Sequence, residues 1–361
     1  MAVARDPGGS RSPRTPQGGP RVAGVELAAG LARVVVARAE GGRLRVLGRG
    51  ESGLGPDAVT GGLVVDRPAV TAALAAALAA AERGTSTERA VVAIDGDDVR
   101  TYHVATPFER EASATPIARA EIDRALREAR EDAAKTAETA VADDPALRGV
   151  ATARLSDEVA GLLVDGRELD SVVGYHGRSL EVHTDVAVAP LVLSGAALAT
   201  IASSRRRVTA VSGIYALARL VAESGVADAG VVRIGADTTA VARVRERRVV
   251  GTRVFGLGRD AFVSREASRE EDARVWAECV TLPLAQQDTL PPERWLFVGV
   301  PESLLVLPNA LSGIVGEIRG APARIGPLSS GVVGRLFSDV PLHSDDLVAA
   351  GAAALGAQVY S

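Results

Sequence analysis

Short apolar runs separated by turn-forming residues dominate the first ordered part of the sequence. Between residues 22 and 50, three β-rich runs are divided by the turn sequences AAG and EGG, a spacing typical of an antiparallel meander. The alanine-rich segment 67–83 predicts a helix that ends at Gly84, and the apolar run 89–96 predicts a buried strand. The first unit is therefore predicted to be a meander, a helix and a returning strand.

The same succession of elements recurs about 200 residues further along the chain. Residues 230–260 again contain three β-rich runs, the helix-favouring segment Ser264–Cys279 follows, and 295–300 is another apolar run. Two copies of meander, helix and strand predict a duplicated α/β architecture with a cleft between the halves. Two unrelated β-meanders are the alternative that the pattern leaves open.

The stretch between the two copies has a different character. Residues 119–140 have the charged, amphipathic pattern of a helix, and alternating positions predict strands in 151–170 and 178–190. The segments 194–207 and 211–224 are predicted to be helices that cross to the second half. We therefore expect a disordered tail at 1–21, a first lobe at 22–100, an inserted α+β subdomain at 101–190 and a second lobe at 191–361.

Composition and charge exclude several classes of protein. The 361-residue chain has 41 basic and 45 acidic side chains and a formal net charge of −4, which gives no electrostatic basis for binding nucleic acid. Its one cysteine, Cys279, excludes an internal disulfide, and its four histidines lack metal-site spacing. The sequence has no apolar run of about 18 residues and no signal-peptide core in its Pro-, Gly-, Arg- and Ser-rich start. We therefore expect a cytoplasmic protein.

Several phrases carry a family resemblance. The segment 52–82 has a Gly-rich turn and a GLVVD sequence before its helix, GYHGRSLEV occupies 174–182, and ARIGPLSSGV occupies 323–332. In this order they resemble FtsA, the actin-like bacterial division protein, with Tyr175 where that family usually has Met. The similarity runs from about residue 22 to the last residues and implies a duplicated actin-like (ribonuclease H-like) fold.

The resemblance also implies a nucleotide site between the halves, where two turns hold the phosphates of ATP and acidic residues orient Mg²⁺ through water. In the first copy, the family's D-x-G-S-S phrase corresponds to a segment that keeps a carboxylate at Glu26 and has lost the hydroxyls. The matching turn residues are Ala28, Ala29 and Gly30.

The second copy departs further from the family pattern. Arg233 lies where a metal-orienting carboxylate belongs, and Asp237 lies in a turn that would face a phosphate, with a repulsion of about 4 kcal/mol at an effective dielectric of 20. We expect ATP and Mg²⁺ to be held weakly or not at all, as in a pseudo-ATPase. The other matching positions are Gly235, Thr238, Thr239, Gly258 and Gly299, for which ordinary turns and strand propensity are the alternative.

The resemblance implies a scaffold in cell division that recruits FtsZ-like filaments or other division proteins and can self-associate into filaments. The subdomain phrase supplies the candidate partner-binding residues Gly174, Gly177, Arg178 and Glu181. The sequence stops at Ser361 without the amphipathic helix expected of the family, so we expect membrane contact through partners, or weakly through the Arg-bearing tail at 5–21, where each charge adds about 1 kcal/mol of salt-sensitive attraction. A pilus-assembly scaffold similar to PilM and an ATP-dependent polymerising actin homologue remain alternatives. A sugar kinase is disfavoured because no D-x-G aspartate is placed to act on a sugar.

Overall fold

A computed structural model describes residues 19–84, 86–169, 171–263, 269–285, 290–334 and 336–357. Most of the predicted tail lies outside these residues, as does the start of the predicted helical segment at 264–268. The strands are β1 (Val22–Ala28), β2 (Leu31–Glu40), β3 (Arg43–Gly53), β4 (Val59–Thr60), β5 (Leu63–Val64), β6 (Arg89–Ile94), β7 (Arg100–Glu109), β8 (Thr152–Val164), β9 (Arg167–Glu168), β10 (Ser179–Pro190), β11 (Arg207–Ser212), β12 (Asp228–Ile234), β13 (Thr239–Arg245), β14 (Arg248–Phe255), β15 (Arg294–Val298), β16 (Arg324–Pro327) and β17 (Leu336–Ser338).

Helices cover the faces of the sheets. Helix α1 begins where the Asp66 side chain accepts a hydrogen bond from the Ala69 N–H at 3.0 Å, and it ends at Arg83, whose backbone is left-handed. The helices are α1 (Arg67–Glu82), α2 (Arg119–Asp143), α3 (Leu191–Ala202), α4 (Gly213–Glu223), α5 (Asp260–Val263), α6 (Arg269–Ala285), α7 (Val306–Arg319) and α8 (Leu347–Gly356). None of the described helices combines the length and apolar character needed to span a lipid bilayer.

Two sheets repeat one topology, which confirms the predicted duplication. Five neighbouring strands of the first sheet have the order β3-β2-β1-β6-β11, with β17 beside β3 as the sixth, and the second sheet has the order β14-β13-β12-β15-β16. In each set of five, the first three strands pair antiparallel and the last three pair parallel, so the middle strand, β1 or β12, has one neighbour of each kind. The predicted meanders are β1–β3 and β12–β14, and the predicted returning strands are β6 and β15.

Helices α4 and α8 lie between the two sheets, and each packs against strands of the sheet from the other part of the sequence. Helix α4 follows the last strand of the first sheet but also packs against β13 and β14, and α8 packs against β1, β2 and β6. Gly24 permits this contact, because a Cβ at that position would lie 1.9 Å from the Ala349 carbonyl oxygen. Buried side chains from both sheets, such as Val35 and Val231, belong to one core around the two helices.

A separate sheet of order β7-β10-β8-β9, covered by α2, is inserted between β6 and α3. Its core is formed by the apolar face of α2 and the facing strands, including Ile122 and Val182. The arrangement matches the α+β insertion expected from the sequence.

Two strands in the segment 191–361 pair with the first sheet, so the sheets do not follow the expected lobe bounds there. Strand β11 pairs with β6, and β17 pairs with β3. The expectation of a helix through residue 207 is wrong, because Arg205 has a φ of +58° that ends the helical path. The β-branched residues that follow it favour the strand observed.

Candidate functional site in the cleft

Glu26 and Arg233 are equivalent residues of the two repeats, and they meet at the base of the cleft. Glu26 pairs with Arg33 on β2, and Arg233 pairs with Ala240 on β13. In each repeat the partner residue comes seven positions later in the sequence. The Arg233 guanidinium donates to Glu26 Oε1, and both side chains are buried. A buried ion pair therefore joins the two halves where the resemblance implied a metal-orienting carboxylate.

A second arginine completes the bonding of Glu26. Arg33 Nη1 donates to Glu26 Oε2 at 2.9 Å and to the Asp345 carbonyl oxygen at 3.1 Å. Its Nε lies 3.3 Å from Asp346 Oδ1, a carboxylate that is itself buried and is also paired with Arg49 at 3.0 Å. Each oxygen of Glu26 is thus occupied by a guanidinium, and the pair belongs to an alternating network of charges.

Asp95 adds a third carboxylate beside Arg233. It follows β6, accepts a hydrogen bond from the Ile214 N–H at 2.9 Å at the start of α4, and lies 3.9 Å from Arg233 Nη1. Burial raises the pKa of Asp95, against the opposing effect of the Arg233 charge. Burial alone would favour a neutral Arg233, but the carboxylates of Glu26 and Asp95 hold its pKa above the ordinary value.

A hydrogen bond closes the cleft above the ion pair. Asp237, in the turn between β12 and β13, accepts a hydrogen bond from the Gly61 N–H at 2.5 Å, and Gly61 lies in the β4–β5 turn of the first repeat. The Asp237 oxygen that was predicted to face a phosphate therefore faces the other half of the protein. Burial raises the pKa of Asp97, and the negative charges of Asp98 and, to a smaller extent, Asp237 raise it further.

The other residues of the second turn are held by structural contacts. The Gly235 N–H donates to the Thr238 carbonyl oxygen at 2.8 Å. The hydroxyl of Thr239 donates to the Leu257 carbonyl oxygen at 2.6 Å and accepts from Trp276 Nε1 at 3.0 Å. The Thr239 hydroxyl is buried and used within the second lobe, and Thr238 is also buried.

Two glycines allow backbone segments to lie close together at this turn. A Cβ on Gly258 would lie 2.4 Å from the Ala236 carbonyl oxygen, and one on Gly299 would lie 2.4 Å from that of Ile234. Gly299 also has a φ of +81°, which strongly favours glycine. Both retained glycines therefore have packing reasons that need no ligand.

The first turn has a different environment. Ala28 and Ala29 are half-buried and Gly30, with a φ of +79°, is exposed. The Gly30 carbonyl oxygen accepts from the Leu54 N–H at 2.9 Å, which ties the turn to the end of β3. Neither alanine offers a side-chain group to a phosphate.

The residues at the base of the cleft do not fit Mg²⁺. Magnesium requires oxygen ligands in near-octahedral geometry, usually with carboxylates available to it or to its waters. Both oxygens of Glu26 are bonded to arginines, and the positive charge beside it is already supplied by Arg233. In the second turn the Asp237 carboxylate, bonded to the Gly61 N–H, adds negative charge beside the cleft, which disfavours an anionic ligand.

The phrase GYHGRSLEV of the inserted subdomain forms a tight connection into β10. Gly174 has a φ of +87°, and a Cβ on Gly177 would lie 2.3 Å from Val164. The Arg178 N–H donates to Asp165 Oδ1 at 2.9 Å, and Glu181 Oε1 lies 2.5 Å from His183 Nε2. These contacts shape the subdomain edge, and a partner-binding role for the four candidate residues stays a prediction.

Sequence reasoning missed Arg33, Gly61, Asp95 and Asp346. Arg33 had a usable signal, because a lone arginine within the apolar run from Ala32 to Val36 must be paired once that strand is buried. Asp346 and Gly61 had none, since each acts through the packing of distant segments.

Comparisons with known proteins support the fold. No protein-family model and no curated protein matches the chain. A chain from a structure described as the PilM-PilN type IV pilus biogenesis complex is 18% identical, with a TM-score of 0.55, over 93% of this chain and 98% of that one. The ethanolamine utilization protein EutJ from Carboxydothermus hydrogenoformans is 15% identical with a TM-score of 0.47 over 92% and 89%. A Bacteroides thetaiotaomicron protein with an actin-like ATPase fold and unknown function is 8% identical with a TM-score of 0.40 over 85% and 90%.

The chain has a duplicated actin-like fold with an inserted α+β subdomain, as the sequence predicted. At 18% identity, the likeness shows the fold and leaves the biological role to other evidence.

Proposed function

We propose that the protein is an actin-like scaffold that binds protein partners without a cycle of Mg-ATP hydrolysis. The observation that carries this proposal is the buried pair of Glu26 and Arg233, which lies where the resemblance to FtsA implies metal-orienting groups. Because the Arg233 guanidinium neutralises the Glu26 carboxylate, Glu26 has no unpaired charge for a metal to compensate.

Two partner classes fit such a scaffold. The subdomain phrase around Gly174 resembles FtsA and supports an FtsZ-like filament or another division protein as the partner. The likeness to a chain of the PilM-PilN complex, which extends over 93% of this chain, supports a PilN-like partner in a pilus-type assembly. In both cases the scaffold would lie at the inner face of the membrane through its partner.

Calorimetric titration with Mg-ATP tests the loss of nucleotide chemistry. We expect no binding at micromolar nucleotide for the wild-type chain, whereas an active actin-like ATPase measured in parallel gives a clear isotherm. A polymerising actin homologue would instead bind micromolar Mg-ATP and sediment as filaments only in its presence. Either result would replace the scaffold proposal.

Co-sedimentation and pull-down with the FtsZ and PilN homologues of the same genome separate the two partner classes. Binding must persist in nucleotide-free buffer and must weaken when the subdomain surface is altered. Arg178→Ala is a suitable change, because Arg178 bonds to Asp165 through its backbone N–H, which the substitution keeps. Failure of both partners to bind would leave the fold in place and remove the proposed role.

A further inference from the structure

One end of the first sheet carries a concentration of arginines. Arg89 and Arg207 are direct neighbours at the starts of the parallel strands β6 and β11, and Arg21 immediately precedes Val22, which pairs with Arg89. Adjacent strands lie about 4.8 Å apart. The three arginines therefore form a row across three strand starts.

Two further arginines extend this row. Arg83 follows α1, and Arg205 follows α3 at the same end, where residues 86–88 and 204–207 line one shallow depression. The arginine surface is defined here as Arg21, Arg83, Arg89, Arg205 and Arg207. All except the half-buried Arg21 are exposed.

The charges of this surface are free to meet an external anion. Among the described residues, none of the five arginines forms an ion pair, and Arg206 nearby is paired with Glu82 at 2.7 Å. Glu88 is the one exposed carboxylate within the segments 83–89 and 204–207. A locally positive face thus lies on a chain whose formal net charge is −4.

The chemistry of the surface favours a planar anionic layer over other partners. No large apolar side chain is exposed in residues 83–84, 86–89 or 204–207, whereas protein interfaces have an apolar or aromatic centre. The same residues contain no aromatic ring on which a nucleic-acid base could stack.

We propose that the arginine surface docks the first lobe directly on an anionic lipid membrane, by attraction to the headgroups and without insertion. This contact is separate from the partner-mediated membrane association in the proposed function. It orients the strand starts of the first sheet toward the lipid, and the cleft at the opposite strand ends points away from it.

Vesicle flotation with the full chain tests this proposal. The wild-type chain should float with vesicles that contain about 30% phosphatidylglycerol at low salt, and about 0.5 M NaCl should release it. It should not float with phosphatidylcholine alone. Each neutralised arginine is expected to lower the partition coefficient about fivefold, so Arg89→Gln with Arg207→Gln should lower it about 10- to 30-fold.

The second sheet provides a control that matches in position and formal charge, with the difference that Arg324 is paired with Glu293 at 2.9 Å. Arg294 and Arg324 are direct neighbours at the starts of β15 and β16, the strands equivalent to β6 and β11. Replacing both by Gln removes the same charge and should leave flotation nearly unchanged. Thermal unfolding of both double variants verifies that they are folded.

Three results in the flotation assay would overturn the proposal. The first is an equal loss of flotation in the control variant, which would indicate an effect of net charge alone. The second is flotation with neutral vesicles, and the third is absence of flotation at low salt. Tighter binding of a single-stranded oligonucleotide at the same salt would reassign the surface to nucleic acid.

Discussion

Glu26 and Arg233 stand at the same place in two copies of one unit, and they form an ion pair with each other across the cleft. The resemblance to FtsA implied that these equivalent positions face a shared nucleotide from two sides. Here the two residues have opposite charges, so each serves as the other's counter-ion. The ion pair thus links the two repeats directly at equivalent positions.

Removal of one member of this pair should strongly destabilise the protein. Arg233→Met leaves Glu26 and Asp95 buried with less compensation, and we expect a loss of about 3–5 kcal/mol in the free energy of unfolding. The double variant Glu26→Gln with Arg233→Met should lose less than the sum of the single changes, because neither partner is then left as an unpaired charge. Urea unfolding at neutral pH measures both quantities.

The exposed pair of Arg274 and Glu317, 3.0 Å apart, is the matched control. Arg274→Met should leave the midpoint of unfolding nearly unchanged, since solvent-exposed ion pairs contribute little. Additive losses in the double variant at the cleft would show that Glu26 and Arg233 are not coupled.

The link between Asp237 and Gly61 should control opening of the cleft. Asp237→Ala removes the acceptor of the Gly61 N–H, so hydrogen exchange at that amide should become faster, by about tenfold for each 1.4 kcal/mol of lost protection. Asp237→Asn keeps an acceptor oxygen and should preserve most of the protection. Equal exchange in all three proteins would mean that this bond does not hold the halves together.

Gly299 should be intolerant of a side chain. Gly299→Ala adds a Cβ 2.4 Å from the Ile234 carbonyl oxygen at a φ of +81°, and we expect a loss of about 2 kcal/mol or more. Gly313, within α7, has open space around its Cβ position, so Gly313→Ala should raise stability by about 0.5–1 kcal/mol. Thermal and urea unfolding of the two variants should shift in opposite directions.

Glu158 should make stability depend on pH. Burial raises its pKa from 4.5 to about 7, with the neighbouring Arg219 opposing and Asp157 reinforcing this effect. Between these two values the folded protein binds a proton that the unfolded chain has released, so the free energy of unfolding falls as pH rises. The decrease from this residue should reach about 3 kcal/mol above pH 7.

Glu158→Gln removes that proton equilibrium and should flatten the stability profile between pH 5 and pH 8, with the gain over wild type appearing at the alkaline end. The exposed residue Glu109 on β7 supplies the control, because Glu109→Gln should follow the wild-type profile. A profile for Glu158→Gln that is parallel to wild type would assign the pH dependence to other groups.

The repeated meanders were accessible from sequence because their turns and apolar periods are local signals. Helix α7 was missed, since Pro308 and the glycines Gly313 and Gly316 obscure its helical pattern. Strand β17, only three residues long, depends on pairing with β3 and has little signal of its own.

The site was predictable only in part. The unexpected charge at Arg233 is evident from the sequence, whereas its neutralisation by Glu26 and the role of Asp346 depend on how segments more than 200 residues apart pack together. Tertiary contacts of this kind override local propensity.

Helix α8 has a consequence for the order in which the protein is made. The first sheet has four of its six strands by residue 94, yet the helix that covers β1, β2 and β6 begins only at Leu347. A nascent chain therefore leaves the ribosome with one face of that sheet bare for most of its synthesis. The first sheet therefore completes its core only after the carboxyl-terminal helix has been made, and an apolar face exposed during that interval is prone to aggregation.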